Sequence, residues 1–494
     1  MRGSNWGSGI RGQGSGYSIN DLDRSESRDI LTPDPRPPTP DPRPPTPDPR
    51  PLNHMSRRKK LPAEPVTVQI ESLSHEGRGI ARVNGKTVFV DAALPGEEVR
   101  IQFTRGHRRY SEARVVEILR PSPARIPARC QHFTVCGGCS FQHVDQQFQI
   151  EHKQKTMLEQ LRHIGAVVPE EIMPPLTGPL WGYRRRARLA VKYVDKKQKV
   201  LVGYREKGSP FIAELSRCET LHPAVGLMLE ELQELISRLS ILRQVPQIEV
   251  AVADNATALV FRHLAELSEA DVALLKEFEC INNFIIYLQS GGPESIRPLT
   301  PERAVNLVYA LPDYGIDFEF LPMDFIQINQ EINIKMIGLA LQLLAPDQQD
   351  DVLELFCGLG NFSLPLASKC RQVTAVEGDK GLIERAQKNA LRNAITNVDF
   401  HAMDLAKEDL HADFIERNHA RVLLDPPRTG AADIIKRMSF AGTERMVYVS
   451  CNPATLARDA GLLVRDKGFH LQKAGVMDMF PHTAHIESIA LFVR

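Results

Sequence analysis

Between residue 352 and the C-terminus, short β-rich apolar runs alternate with helical patterns, and this alternation leaves few folds open. The strand candidates are 352–356, 372–376, 398–401, 422–424, 446–449 and 486–493, with helical patterns between most of them. Strands that alternate with helices build a doubly wound, mostly parallel α/β sheet. Such sheets bind ligands beyond the carboxyl ends of their strands. The residues just after each strand are therefore the ones to read for chemistry.

The first run enters the segment 354–363, Glu-Leu-Phe-Cys-Gly-Leu-Gly-Asn-Phe-Ser, a strand leading through a Gly-rich turn into a helix. Glu377 ends the next strand, seventeen positions after Gly360. In the Rossmann-like arrangement the glycines let backbone approach a ligand, and the carboxylate takes ribose hydroxyls. A third glycine is missing, so a pyrophosphate is not required. An adenosine cofactor without phosphates fits better, which points to S-adenosylmethionine. Cys357 reads as a small packing residue.

Two further strand ends carry Leu424-Asp425-Pro426-Pro427-Arg428 and Ser450-Cys451-Asn452-Pro453. Rigid prolines hold a carboxylate in one and restrain a thiol in the other. A thiol in that position can add to C6 of a uracil and make C5 a carbon nucleophile. A free thiol has a pKa of ~8.5, so Cys451 needs an electropositive site or a base. After methylation a base must remove the C5 proton, and Glu487, or a histidine of Phe480-Pro481-His482-Thr483-Ala484-His485, can serve.

Cys130, Cys136 and Cys139 fall within ten positions, Gly137 and Gly138 lie between the last two, and Cys218 follows later. Four thiolates suit tetrahedral zinc or a four-iron cluster. Three ligands from one loop plus a distant fourth favour the cluster over zinc.

A chain of 494 residues exceeds one core, and ~150 residues per domain suggests about three. The 61 basic and 61 acidic residues cancel, so any nucleic-acid contact must come from local patches. No apolar run reaches a membrane span, and no signal-peptide core is present, so the expected setting is cytoplasmic. Residues 1–60, rich in Gly, Ser and Arg and then repeating Thr-Pro-Asp-Pro-Arg-Pro-Pro from Thr32, read as a disordered leader. Residues 61–121 read as an OB-like β-barrel, with Arg105, His107, Arg108 and Arg109 crowding one connection. Gly77, Gly79, Asn84-Gly85 and Pro95-Gly96 read as its turns. Residues 122–310 read as a mixed α+β domain, including a helix near 146–164 that could pack on the catalytic domain 311–494. Within that middle stretch, Arg184, Arg186 and Arg188 alternate beside Trp181 and Tyr183, a pattern suited to RNA backbone contact and base stacking.

Taken in order, these motifs resemble the RNA uracil-C5 methyltransferase family, and within it the branch that acts on 23S ribosomal RNA with a TRAM domain and a 4Fe-4S cluster. The resemblance covers nearly everything after residue 60. It implies a TRAM barrel over 66–119 and cluster ligation by Cys130, Cys136, Cys139 and Cys218. It implies S-adenosylmethionine contacts from Gln327, Phe356, Asn361, Glu377, Asp404 and Asp425. Cys451 corresponds to the nucleophile and Glu487 to the base. The implied partner is 23S rRNA, with no membrane, and a monomer is the expected form. Modification of another rRNA or tRNA uridine, or RNA binding by a non-catalytic methyltransferase shell, remain as alternatives. Cytosine-C5 enzymes are disfavoured, because no cysteine stands at 425–428.

Overall fold

A computed structural model describes residues 61–407 and 417–494. The Pro-rich leader expected over 1–60 lies outside the described residues.

The catalytic sheet has eight strands. In spatial order they are Val398–Ala402, Gln372–Glu377, Asp351–Leu355, Arg421–Leu424, Arg445–Ser450, Glu487–Val493, His470–Met477 and Glu171–Ile172. The first five are mutually parallel, and Glu487–Val493 runs antiparallel between two neighbours. Strand order reverses between Asp351–Leu355 and Arg421–Leu424, which opens a crevice at their carboxyl ends. Both faces are covered. Leu423 and Val447 enter one apolar cluster, while Val422, Leu424, Met446 and Tyr448 enter the other. That double burial is why these strands read as near-continuous apolar runs.

The strand His470–Met477 is missing from the runs read in the sequence. It opens on polar residues and carries a register shift between Leu471 and Lys473, so no clean pattern marks it.

The N-terminal sheet has six strands in the order Val66–Gln69, Glu98–Gly106, Tyr110–Arg120, Lys86–Asp91, Gly79–Val83, Ser72–Leu73. Asn84 and Gly85 have φ of 50 and 76°, the two positive values a tight hairpin needs. Gly79, expected as a turn, instead opens a strand. A Cβ there would stand 2.8 Å from the Ala93 side chain, so the glycine serves close packing. Arg105, Arg108 and Arg109 are exposed near the Glu98–Gly106/Tyr110–Arg120 turn.

A second six-stranded sheet, built around Arg186–Val194, Gln247–Val252 and Thr257–Arg262, occupies the middle of the chain. The helix Gln146–Gln160 is capped by Asp145, whose side chain accepts from Phe148 N (2.9 Å). It continues as a π turn, Leu161–Gly165, against the helix Pro453–Lys467. A Cβ on Gly165 would lie 2.3 Å from Ala457 O, so the two backbones meet where only glycine fits. Among the described residues, no helix is long and apolar enough to cross a membrane.

Candidate active site

The strand Asp351–Leu355 ends in a turn where Phe356, Gly358 and Gly360 have φ of 68, 56 and 87°. Such a value is ordinary for glycine and costly for phenylalanine. Phe356 is held there because its N–H and that of Cys357 both donate to Val376 O (2.8 and 3.0 Å). Apart from its chain neighbours, no heavy atom of the described residues lies within 4 Å of where a Cβ on Gly358 would project, which leaves the turn open to a ligand. Glu377 accepts from the N–H groups of Gly358 (3.1 Å), Gly378 (2.7 Å) and Asp379 (3.1 Å). A carboxylate has about four acceptor positions, so capacity remains for a ribose hydroxyl.

Asn361 is fixed by a reciprocal amide pair with Asn333 (3.0 and 2.9 Å) and by the Tyr309 hydroxyl (3.2 Å). Sequence reasoning missed both partners. Asp404 is exposed just beyond the strand Val398–Ala402, and its neighbour Met403 donates to Glu377 O (2.8 Å). Gln327 is half-buried in the loop before the helix Gln330–Leu344, and no hydrogen bond among the described residues joins it to the others. Cys357 is buried.

Asp425 and Cys451 follow adjacent strands, paired through Leu424 and Tyr448. Glu487 opens the neighbouring antiparallel strand, where Ser488 faces Ser450, so it comes to the same edge as Cys451. Asn452 ties the two loops together. Its Nδ2 donates to Arg428 O (3.0 Å), and its Oδ1 accepts from Ala454 N (3.1 Å) to cap the following helix.

Burial pushes the Asp425 carboxyl up to about 7, with Glu377 adding to the rise. Burial pushes Glu487 up to about 8. Asp425 adds to that, while Arg428 and Lys153 oppose it. The Cys451 thiol is pushed up to about 11 by burial, then by Glu487 and Asp425, against Arg428. These acids and this thiol thus feel one another's charge, and near neutrality the thiol keeps its proton. A cation entering the site would lower all three. Beneath them Glu354, fully buried, accepts from Ser363 Oγ (2.5 Å) and is pushed up to about 8 by burial.

The basic strip of residues 184–188 divides, with Arg184 and Arg186 half-buried and Arg188 exposed. Arg184 lines a cavity, Arg186 donates to Pro322 O, and Arg188 pairs with Glu249. Trp181 stacks on His482 at 3.9 Å, with the Arg129 guanidinium 5.1 Å from its ring.

The cavity, about 240 Å³, is walled by Cys130, Cys136, Cys139 and Cys218 together with Arg184, Tyr204 and His485. The buried Tyr204 hydroxyl has no hydrogen-bond partner among the described residues. Among the described residues, however, no group of three or more His, Cys, Asp or Glu is placed to hold a metal ion. The expected 4Fe-4S cluster is therefore not shown.

Sheet order, Gly-rich turn and carboxylates at successive strand ends define the class, a methyltransferase of the S-adenosylmethionine-dependent kind. A family model described as tRNA (Uracil-5-)-methyltransferase matches residues 182–494, and a TRAM domain model matches 59–116. The chain is 49% identical over 443 residues to the 23S rRNA (uracil(1939)-C(5))-methyltransferase RlmD of Methylococcus capsulatus, covering 90% of this chain and 100% of that protein. It is 51% identical to the protein of the same name from Alkalilimnicola ehrlichii, over 89% of this chain and 98% of the relative. In fold it is similar to the crystal structure of Pyrococcus abyssi tRNA (uracil-54, C5)-methyltransferase in complex with S-adenosyl-L-homocysteine. The TM-score is 0.67 at 22% identity, covering 86% of this chain and 99% of that one. The chain belongs to the RNA uracil-C5 methyltransferase family and carries a TRAM domain.

Proposed function

We propose that this chain methylates C5 of a uridine in 23S rRNA, at the site its relatives' names give as 1939. The observation that carries the reading is the meeting of Cys451, Asp425 and Glu487 at neighbouring strand ends, within reach of one another's charge. S-adenosylmethionine supplies a methyl group as a cationic sulfonium, and the open turn at Gly358, with Phe356, Asn361, Glu377, Asp404, Asp425 and Gln327 about it, is where we place it. The target uridine leaves its stack so that both C5 and C6 can be reached. Asp425, raised into the neutral range, can donate a proton in a hydrogen bond to a uracil carbonyl. The Cys451 thiol gives its proton to solvent and adds as the thiolate to C6, C5 takes the methyl group as the methyl–sulfur bond breaks with its pair on the departing thioether, and the Glu487 carboxylate removes the C5 proton. The C5=C6 bond re-forms as the thiolate leaves.

We place a 4Fe-4S cluster at Cys130, Cys136, Cys139 and Cys218. The support is their shared cavity and the Arg184 guanidinium in its wall, which suits an anionic group. The TRAM barrel, with exposed Arg105, Arg108 and Arg109, would hold RNA backbone. A cytoplasmic monomer is the form this reading assumes.

The test is transfer of labelled methyl to unmodified 23S rRNA, followed by mapping of the product. Label at C5 of the uridine numbered 1939 is expected. Label elsewhere, or none from folded protein, contradicts the reading.

A further inference from the structure

Lys153 belongs to the helix Gln146–Gln160, outside the run of catalytic strands, yet its side chain is only 1% exposed. Its ammonium donates to Asp478 Oδ1 (2.8 Å) and to Phe480 O (3.0 Å). Asp478, itself 2% exposed, begins the connection from the strand His470–Met477 to Glu487. Burying an ion pair is costly, so its place under this connection calls for a reason.

Other groups from outside the catalytic strands hold the same connection. Gln149 Oε1 accepts from His482 N (2.9 Å), and Tyr183 donates its hydroxyl to Pro481 O (3.0 Å). Ser140 and Phe141 N–H both donate to His482 O (2.9 Å each), and Trp181 stacks on the His482 ring. His482 has φ of 64°, a conformation that persists only where its surroundings over-determine it. Lys153 supplies the charged contact in this set.

We propose that Lys153 is a positioning residue for the proton-abstraction step, holding Asp478 and Phe480 so that Glu487 stands where the C5 proton is presented. This rests on the reading of Glu487 as the base. In that step the carboxylate takes the proton, the C–H electron pair forms C5=C6, and the C6–S bond breaks with its pair on the Cys451 sulfur. The charge of Lys153 also favours ionised Glu487. The other groups facing Glu487 are Asp425, Cys451 and Arg428. Lys153 in turn faces Asp478, Glu487 and the imidazoles of His152, His482 and His485.

The experiment follows a single turnover on ordinary uridine RNA, reading the covalent RNA–protein complex and the pH dependence of its breakdown. Glu487→Gln is the control, and it should accumulate the methylated complex. Lys153→Met combined with Asp478→Asn removes both buried charges together. It should bind RNA normally, release product about tenfold or more slowly, and shift the acidic limb to higher pH, because a cation that favoured the carboxylate is gone. Lys153→Arg keeps the charge with a different reach, so its limb should stay in place while release slows. If Glu487→Gln accumulates the complex but both Lys153 variants release at the wild-type rate and pH dependence, the role of Lys153 is overturned and Glu487 stands. If Glu487→Gln releases normally, the base assignment fails and this inference fails with it.

Discussion

The strand-end site and the four-cysteine cavity use the same side chain in opposite surroundings. Cys451 stands alone, half-buried, beside Asp425 and Glu487, with Arg428 as the opposing charge. Cys130, Cys136, Cys139 and Cys218 stand together beside Arg184 and Arg217. Burial, with Glu487 and Asp425 adding to it, keeps the lone thiol protonated until a cation arrives, which suits the proposed nucleophile. Cations around several thiols suit an anionic group held permanently. The two regions are joined, because His485 lines the cavity two positions before Glu487.

The comparison breaks most easily at its first member. Cys451→Ala should abolish methyl transfer with the fold intact by circular dichroism, whereas Cys139→Ala should leave the folded fraction with measurable turnover. Equal loss in both, at equal thermal stability, would erase the distinction. Glu487→Gln should slow turnover by about 10²–10⁴, the usual worth of a positioned base, in a stopped assay of labelled methyl release.

Cys139→Ser sharpens the second member. Bound iron per chain should fall after anaerobic reconstitution, and Tm should drop with it, since a group that binds only the folded chain stabilises it. A milder effect concerns pH. As the proposed base Glu487 would have to be ionised, and burial holds it up to about 8, so turnover should rise through pH 7 and level above 8. Bound sulfonium would move that limb lower, never higher. The smallest effect is expected at Arg188, whose side chain is 66% exposed despite its pairing with Glu249. Arg188→Ala should change stability by about 0–1 kcal/mol in a denaturant titration and leave RNA affinity nearly unchanged.

The placement of residues at the strand ends was legible because it is local. A periodic apolar run, then a carboxylate or a thiol beside prolines, places Asp425 and Cys451 without knowledge of the rest. Asn84-Gly85 was legible for the same reason, since two positive φ values in a hairpin call for those residues. Lys153 was not, because its partner Asp478 lies 325 positions away and a lysine on a helix reads as solvated. Asn452 left a signal that could have been used, a capping residue directly before a proline. The strip from Arg184 to Arg188 was legible in part, because alternation reports a shared face but not that Arg186 is tied to Pro322 O and Arg188 to Glu249. The strand His470–Met477 went unseen because its polar start and register shift hide its period.

The central claim is that Cys451 forms the bond to the RNA. Incubating the enzyme with S-adenosylmethionine and 23S rRNA carrying 5-fluorouridine should trap a complex stable to denaturation, because fluorine at C5 cannot leave as a proton. Digestion should then find the nucleotide on the peptide that contains Cys451, and Cys451→Ala should give no such complex. An adduct of undiminished yield in Cys451→Ala, or one mapped to Cys130, Cys136, Cys139 or Cys218, would contradict the account.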